Sequence, residues 1–524
     1  MTLTLQVDGR EVEVVEDGAS LLEVLRDRLG LRSVKDGCSP QGQCGCCTVL
    51  VDGSPRVACV TPARRVAGRR ITTVEGIPRA ERDRWADAFV ATGASQCGFC
   101  TPGIIVRLAA AAGGGPVSDD QAGRCLLAHL CRCTGWRSVL EAAVHLPAAD
   151  PARDLAAAGR RATIEGGTIQ HVGPDVALGR GGFADDLAPA DALVAVSDGR
   201  GGWAVGETLS EARRAARTVQ GRRSGSRIGH PLELPTGPWS ATLRTTWVEP
   251  AYVELDGSWC RPGGEPASPL GNGGAFGAKL SSPAPAAARR LADQYGRAVR
   301  VLLSREDSVR LGPKRPPIAA GVRSDGSGIL RVARTPGIAA AVAALAPGLS
   351  VEEVDVIGPP TSARLRAAGW AEAAVLLAAL APRADTARSA SATIRSPAGA
   401  TATARADVDE EGRPTAVRVA VGCGDPLDEV VLRSYAVGAA HMAMGWVCSE
   451  AIAVDDEGRP QDLTIRSFGV LRAIETPPVA VTIDADDGPP VNGSDAVFAA
   501  VAAAVWIAQG APPDWPTRRG VPHE

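Results

Sequence analysis

The chain has 524 residues, 45% hydrophobic and 22% charged, enough for a sizeable core and, on the usual length prior, about three or four domains. Its net charge is −3 and its basic residues form no stripe, so the charge balance gives no reason to expect nucleic acid. Neither a signal peptide nor an apolar run of about 18 residues is visible, so the sequence predicts no membrane span and a cytoplasmic location.

The opening reads as a β-hairpin. Leu3, Leu5 and Val7 alternate with polar residues, Asp8-Gly9 supplies the turn, and Val12 and Val14 resume the alternation. Ser20 and Glu23 have capping-box spacing ahead of an amphipathic helix through Leu21, Leu22, Val24, Leu25 and Leu29. Then come Cys38, Cys44, Cys46 and Cys47, a turn at Asp52-Gly53, and a strand that reaches Cys59. Glycines at 37, 42 and 45 suit a loop that wraps its backbone around inorganic sulfide and aims N–H groups at it, where a β-carbon would obstruct.

This stretch resembles the plant-type [2Fe–2S] ferredoxin domain, whose ligands follow C-x₄-C-x₂-C and a distant cysteine. Cys44 and Cys47 fit the x₂ step and Cys59 the distant ligand. Cys38 to Cys44 encloses five residues instead of four, a departure at the first ligand, and Cys46 is read as a non-ligand. The alternative is a ubiquitin-like β-grasp domain with incidental cysteines.

Residues 60–78 read as a basic linker with Pro62 and Pro78. A helical segment follows, in which Gln96-Cys97-Gly-Phe-Cys100-Thr-Pro102-Gly103 forms a turn with Pro near the start of a helix. A second helix from Ser118 to Leu130 delivers Cys131-Arg-Cys133-Thr-Gly135-Trp136. Two facing helix-terminal turns present four sulfurs at one point, and one [2Fe–2S] unit needs four soft, deprotonated sulfur ligands. A structural zinc site and a dithiol redox pair are the other readings. None of the six His residues is at ligand spacing, and Cys125 reads as a buried apolar residue.

Q-C-G-F-C-T-P-G with C-R-C-T-G-W, downstream of a ferredoxin-like domain, is similar to the iron–sulfur part of the xanthine dehydrogenase (molybdenum hydroxylase) family. The match covers roughly residues 1–148. It implies a four-helix domain holding a second cluster through Cys97, Cys100, Cys131 and Cys133, with Gln96 placed to touch the pterin of a molybdenum cofactor.

Residues 147–163 read as an interdomain linker before a long α/β-looking region. There, Arg180–Leu187 resembles the family's G-x-A-x-Y-x-x-D segment, and Gly271-Asn-Gly-Gly-Ala-Phe276-Gly277-Ala-Lys279 resembles its G-G-G-F-G-G-K loop. The order then continues through a helix from Ala284 to Gly296, Arg305-Glu-Asp, Pro313-Lys-Arg315-Pro and Asp325-Gly326. By resemblance Gly274, Phe276 and Gly277 are cofactor-contact candidates; the alternative is a glycine turn needed only for strand-to-helix packing.

Toward the C-terminus, Val419–Pro426, Gly438 to Gly445 and Glu450 to Gly458 keep the family's order. Asn492-Gly493-Ser494-Asp495 falls where the family carries K-G-x-G-E, whose Glu is its catalytic base. Asp495 is the candidate base, one methylene shorter, against a reading in which Ser494 and Asp495 cap the final helix. Between Gly328 and about Ala400, Ala-rich helices (Gly337 to Pro347, Ala368 to Pro382) stand where arginine-bearing substrate loops are expected, with no convincing counterpart.

The expected fold is a multidomain α+β protein: a β-grasp ferredoxin-like domain (1–75), a four-helix [2Fe–2S] domain (76–148), a linker (149–163), and a shortened α/β molybdopterin-binding-like region in two lobes (164–335 and 336–524). The implied function is a molybdenum hydroxylase-like oxidoreductase. It would pass electrons from oxidation of a small N-heterocycle or aldehyde through two [2Fe–2S] clusters to an external acceptor. No FAD-binding domain is visible, so the resemblance implies a separate flavoprotein subunit or other acceptor, and allows a homodimer of the complex. The alternative is a non-catalytic electron-transfer or scaffold subunit with a degenerate molybdenum region.

Overall fold

The computed structural model describes residues 2–218, 225–381 and 388–518. The expected hairpin forms from Thr2–Val7 and Arg10–Val15, antiparallel, with Leu5 and Val7 buried on its inner face. Ser20 caps the short helix Leu21–Glu23 by accepting from the Glu23 amide, and the helix widens over Val24–Arg28. Thr48–Val51 and Ser54–Val57 form the second hairpin around Asp52-Gly53. The stretch read as a basic linker contributes a strand. Arg70–Thr72 pairs parallel to Thr2–Val7 and antiparallel to Thr48–Val51, closing the five-stranded sheet between its two hairpins.

Helices Arg79–Ala91, Thr101–Ala112, Asp119–Cys125 and Arg137–His145 follow, the four expected from the resemblance. The third is shorter than the Ser118–Leu130 reading, because it tightens over Leu126–Ala128 before the cysteine turn. Most of the expected 149–163 linker is instead the helix Leu155–Gly166, capped by Asp154. Its Arg161 is fully buried and pairs with Glu165 at 2.9 Å, a cost that a solvated linker would not carry.

Three four-stranded sheets make up the rest. In the first, Leu193–Ser197 and Val299–Leu302 run parallel at the centre, flanked by Trp203–Gly206 and Gly257–Cys260. In the second, the hairpin Ile318–Val322 and Gly328–Ala333 is flanked by Ala241–Arg244 and Leu349–Val354. Leu349–Val354 hydrogen-bonds in parallel to Gly328–Ala333, so the lobe boundary expected at 335 cuts through a sheet. The third contains Ser389–Arg395, Thr401–Val408, Pro414–Gly422 and Val479–Ile483. Ala402, Ala404 and Ala406 face inward at 0% exposure, as do Ala499, Ala500 and Ala502–Ala504 of the helix Ser494–Ala508. Such small side chains let helix and sheet approach closely, and Glu429–Cys448 packs along the same helix. The Ala-rich segments of the middle form Ile338–Ala343 and Trp370–Ala378; the expected end of the second, at Pro382, lies outside the described residues. Among the described residues no helix is long and apolar enough to cross a membrane.

Candidate functional site

The first thiol group joins three cysteines of the loop between the Val24–Arg28 turn and Thr48–Val51 to Cys59 in the turn Ala58–Val60 that follows Ser54–Val57. Cys38, Cys44, Cys47 and Cys59 are 1, 1, 2 and 5% exposed. Amides already point at the sulfurs: Gln43 N–H donates to Cys38 Sγ and Cys59 N–H to Cys47 Sγ, both at 3.5 Å. The thiols of Cys44 and Cys59 bond to Cys38, which pulls Cys38 well below the usual thiol range and pushes its two partners up. Cys46 is equally buried and lies against Cys44, its Sγ 3.8 Å from the Cys44 carbonyl; burial raises its thiol.

The second group is built from two helix-terminal turns. Cys97 and Cys100 precede Thr101–Ala112, and Cys131 and Cys133 precede Arg137–His145. Cys133 Sγ lies 3.7 Å from Cys97 Sγ, and Cys131 is bonded by the thiols of Cys100 and Cys133, which hold it well below the thiol range. Thr134 N–H donates to Cys131 Sγ at 3.5 Å. The two groups meet: Leu130 N–H donates to the Cys44 carbonyl at 3.0 Å, so one hydrogen bond and one peptide unit separate Cys44 from Cys131. Gly45 allows this approach, since a β-carbon there would stand 2.5 Å from the His129 ring.

These donors fit iron–sulfur clusters. Each group offers four buried sulfurs with N–H groups turned toward them, the ligand count and setting of one [2Fe–2S] unit.

A third assembly lies beyond the second thiol group. The loop at Gly271–Lys279 turns through left-handed conformations at Gly273, Gly274 and Gly277, and at Phe276, where φ is 46°. Asn272 anchors it by donating to the carbonyls of His171, Gln96 and Cys97. A β-carbon on Gly274 would stand 3.1 Å from Cys133 Sγ and 3.3 Å from Cys97 Sγ, so the loop backbone rests on the cluster-side sulfurs. Lys279, 2% exposed, ends the loop in an ion pair with Glu254 at 2.8 Å.

Two residues after Gly274 the loop changes face. The Phe276 carbonyl accepts from Arg366 N–H at 3.1 Å, and Gly277 packs so tightly on Arg364 that a β-carbon would overlap its carbonyl oxygen. The Arg366 guanidinium lies 4.2 Å above the Phe276 ring, donates from Nε to Asp495 Oδ1 at 3.0 Å and from Nη2 to Ser494 Oγ at 2.9 Å. Arginine is thus supplied from the 328–400 stretch, where the sequence showed no counterpart to a substrate loop. A single arginine among Ala-rich helices carries no motif, and only the pairing with Phe276 reveals it.

Asp495 opens the helix Ser494–Ala508, but the capping is done by others. Asn492 Oδ1 accepts from the Asp495 amide at 3.0 Å, and Glu165 accepts from the amides of Gly493 and Ser494 at 3.1 and 2.9 Å. The Asp495 carboxyl is therefore left for Arg366 and the cleft. Burial raises its pKa, and Arg366 pulls it back. The cleft, of about 280 Å³, is walled by Phe276, Gly277, Arg366, Trp370 and Asp495.

Gln96 lies on the cluster side of the loop. Its Nε2 donates to Ser434 Oγ at 2.9 Å, while its buried Oε1 has no hydrogen-bond partner among the described residues. That orphaned oxygen is the polar atom a pterin edge would use. At about 280 Å³ the cleft lies just below the usual range for bound organic groups, about 300–1,000 Å³.

Two family models match the chain: a 2Fe-2S iron-sulfur cluster binding domain over residues 3–68 and a [2Fe-2S] binding domain over residues 73–144. Fold, thiol geometry and these matches define a protein with two [2Fe–2S]-binding domains. The iron-sulfur-binding subunit of a xanthine dehydrogenase from Escherichia coli is 39% identical over 145 residues, which is 27% of this chain and 90% of that one. The chain belongs to the xanthine dehydrogenase family of molybdenum hydroxylases and is an iron–sulfur oxidoreductase of that kind. An aldehyde oxidoreductase of Megalodesulfovibrio gigas is 40% identical over 165 residues, but the match spans only 18% of that relative and 29% of this chain. The solved aldehyde oxidoreductase from Desulfovibrio gigas superposes with a TM-score of 0.72 over 99% of both chains at 15% identity, a likeness of fold.

Proposed function

We propose that the chain oxidises a small molecule in the Phe276–Asp495 cleft and passes the electrons through two [2Fe–2S] clusters to an acceptor outside the chain. One observation carries the reading. Within three residues the loop packs too close to the sulfurs of Cys97 and Cys133 to admit a side chain at Gly274, and at Phe276 it holds Arg366, which in turn pairs with Asp495. Oxidation in the cleft and the first electron acceptor are thereby neighbours.

In this reading Cys97, Cys100, Cys131 and Cys133 hold the cluster nearer the cleft, and Cys38, Cys44, Cys47 and Cys59 the one nearer the exit. Gln96, Gly274, Phe276 and Gly277 would contact a molybdenum–pterin group, which when bound supplies two-electron oxidation with oxygen taken from water. The balance is one C–H bond and one water giving C–OH, two protons and two electrons, with N-heterocycles and aldehydes as the substrate classes. Asp495 takes the proton that leaves water, and its raised pKa makes it the stronger base once ionised. Arg366 opposes that rise and aims the carboxyl. Electrons cross singly, by way of the Leu130–Cys44 hydrogen bond between the thiol groups.

The acceptor is a separate flavoprotein subunit, the complex is cytoplasmic, and its assembly is a homodimer. The domain limits follow the thiol groups, 1–75 and 76–148, with the cleft formed by the remainder. A second reading, a non-catalytic electron-transfer subunit, is favoured by the commitment of Asp495 to an ion pair with Arg366.

Metal analysis of natively purified protein, followed by anaerobic addition of aldehydes and N-heterocycles, tests the proposal. Iron near four per chain, molybdenum near one and bleaching of the cluster absorption on substrate addition are expected. The same iron with no bleaching by any substrate would establish the second reading.

A further inference from the structure

We infer that the cleft selects an aromatic molecule bearing a carboxylate, anchored by Arg364 at its mouth. The inference deepens the proposed function, because it rests on the same cleft.

The charges inside the cleft are already spoken for. Asp495 is paired with Arg366, and Glu165 with Arg161 as well as with two helix amides. Arg364 is different. It lines the same cleft, its side chain is exposed, and it has no ion pair or side-chain hydrogen bond among the described residues. The cleft therefore presents one uncompensated positive charge. A carboxylate gains that charge as a partner, a cation is repelled by it, and a neutral molecule gains nothing from it.

Arg364 is also held in place at its root. Gly277 packs on its carbonyl oxygen, and the neighbouring Arg366 amide is bonded to the Phe276 carbonyl. The guanidinium thus arises beside the Phe276–Gly277 edge, while Phe276, Leu365 and Trp370 provide apolar wall. With about 280 Å³ to fill, a single ring or a small fused pair matches the space, one edge toward Asp495 and the anionic edge toward Arg364.

Calorimetric titration of the full-length holoprotein with benzoate and with its neutral isostere benzamide reads this without turnover. Benzoate is expected to bind about fivefold or more tighter than benzamide. Arg364→Gln should abolish that preference and leave benzamide binding unchanged, while Arg364→Lys keeps part of it. Added salt should shrink the preference in the unaltered protein, a reading that needs no variant. Equal affinity for the two ligands, or an equal loss of both in Arg364→Gln, overturns the inference. Cluster bleaching by neutral substrates with no benzoate preference also overturns it while leaving the proposed function standing. Benzoate preference in a protein that no substrate bleaches supports this site and removes the electron-donor reading.

Discussion

Arg132 and Glu450 lie 318 positions apart in the chain and meet through two hydrogen bonds of 2.5 and 2.7 Å. Arg132 sits between Cys131 and Cys133, and the pair is 8 and 1% exposed, so the second thiol group is clamped to the C-terminal half by a buried ion pair. Removing one partner strands the other charge away from water. Glu450→Ala should lower stability by about 3–5 kcal/mol in chemical unfolding, and the double change to Met at both positions should cost less. A double variant as unstable as the single would show that the charge itself is needed.

Gly274 tests the contact between loop and cluster. In Gly274→Ala the new methyl meets two sulfurs, at a φ of +87° that L residues rarely adopt. Iron per chain should fall by about half, with the ferredoxin-like cluster retained. Full iron loading in this variant would refute the close approach.

Cys100→Ser addresses the separation of the two thiol groups. One of two distinct electron paramagnetic resonance signals should vanish while the other persists. Loss of both, or of neither, would contradict two independent clusters.

Arg366 and Asp495 should be separable by pH. Burial already raises the Asp495 carboxyl, and Arg366 lowers it. A base works only when ionised, so activity should rise with pH through that group. Arg366→Met removes the lowering charge and should move the rise to higher pH, whereas Asp495→Asn should abolish turnover. An unshifted profile in Arg366→Met would return Asp495 to a structural role.

His441 predicts an acid limb in stability. Burial depresses its pKa below 6.5, and its Nε2 lies 3.0 Å from the Leu471 carbonyl. The unfolded chain therefore binds the proton first. Stability is intact above about pH 6.5 and declines as pH falls from there, at up to about 1.4 kcal/mol for each pH step of one. His441→Gln keeps a donor and does not titrate. It should make the limb shallower in unfolding curves measured between about pH 7 and 5, the remainder coming from buried His129, whose pKa is pulled down to about 4.

The iron–sulfur part was readable because its information is local. Alternation, turn residues and cysteine spacing each lie within a few positions; they yielded the hairpins and the helices at Thr101 and Asp119, while the full set of four helices and the second thiol group came from the family resemblance. The strand Arg70–Thr72 escaped because three polar-flanked residues carry too little pattern, and it earns its place by pairing on both sides. The helix from Leu155 was hidden behind Pro and Asp residues that read as a break but serve as its start. The cleft was half legible. Phe276, Gly277 and Asp495 could be named from motif order, whereas Arg366, Glu165 and Glu450 act through partners over a hundred residues away, and a single sequence does not record which charges meet.

The contacts that join the iron–sulfur part to the rest have a further consequence. Gln96 to Ser434, Arg153 to Asp428 and Arg132 to Glu450 all link the first 153 residues to the segment 428–450. The Escherichia coli relative that matches the iron–sulfur part is itself named as a subunit. Between separate chains such contacts form by collision and are lost on dilution. Within one polypeptide they form at an effective concentration on the order of millimolar, however scarce the protein. Electron carrier and cleft are then made in equal number by a single round of translation, and dilution cannot part them.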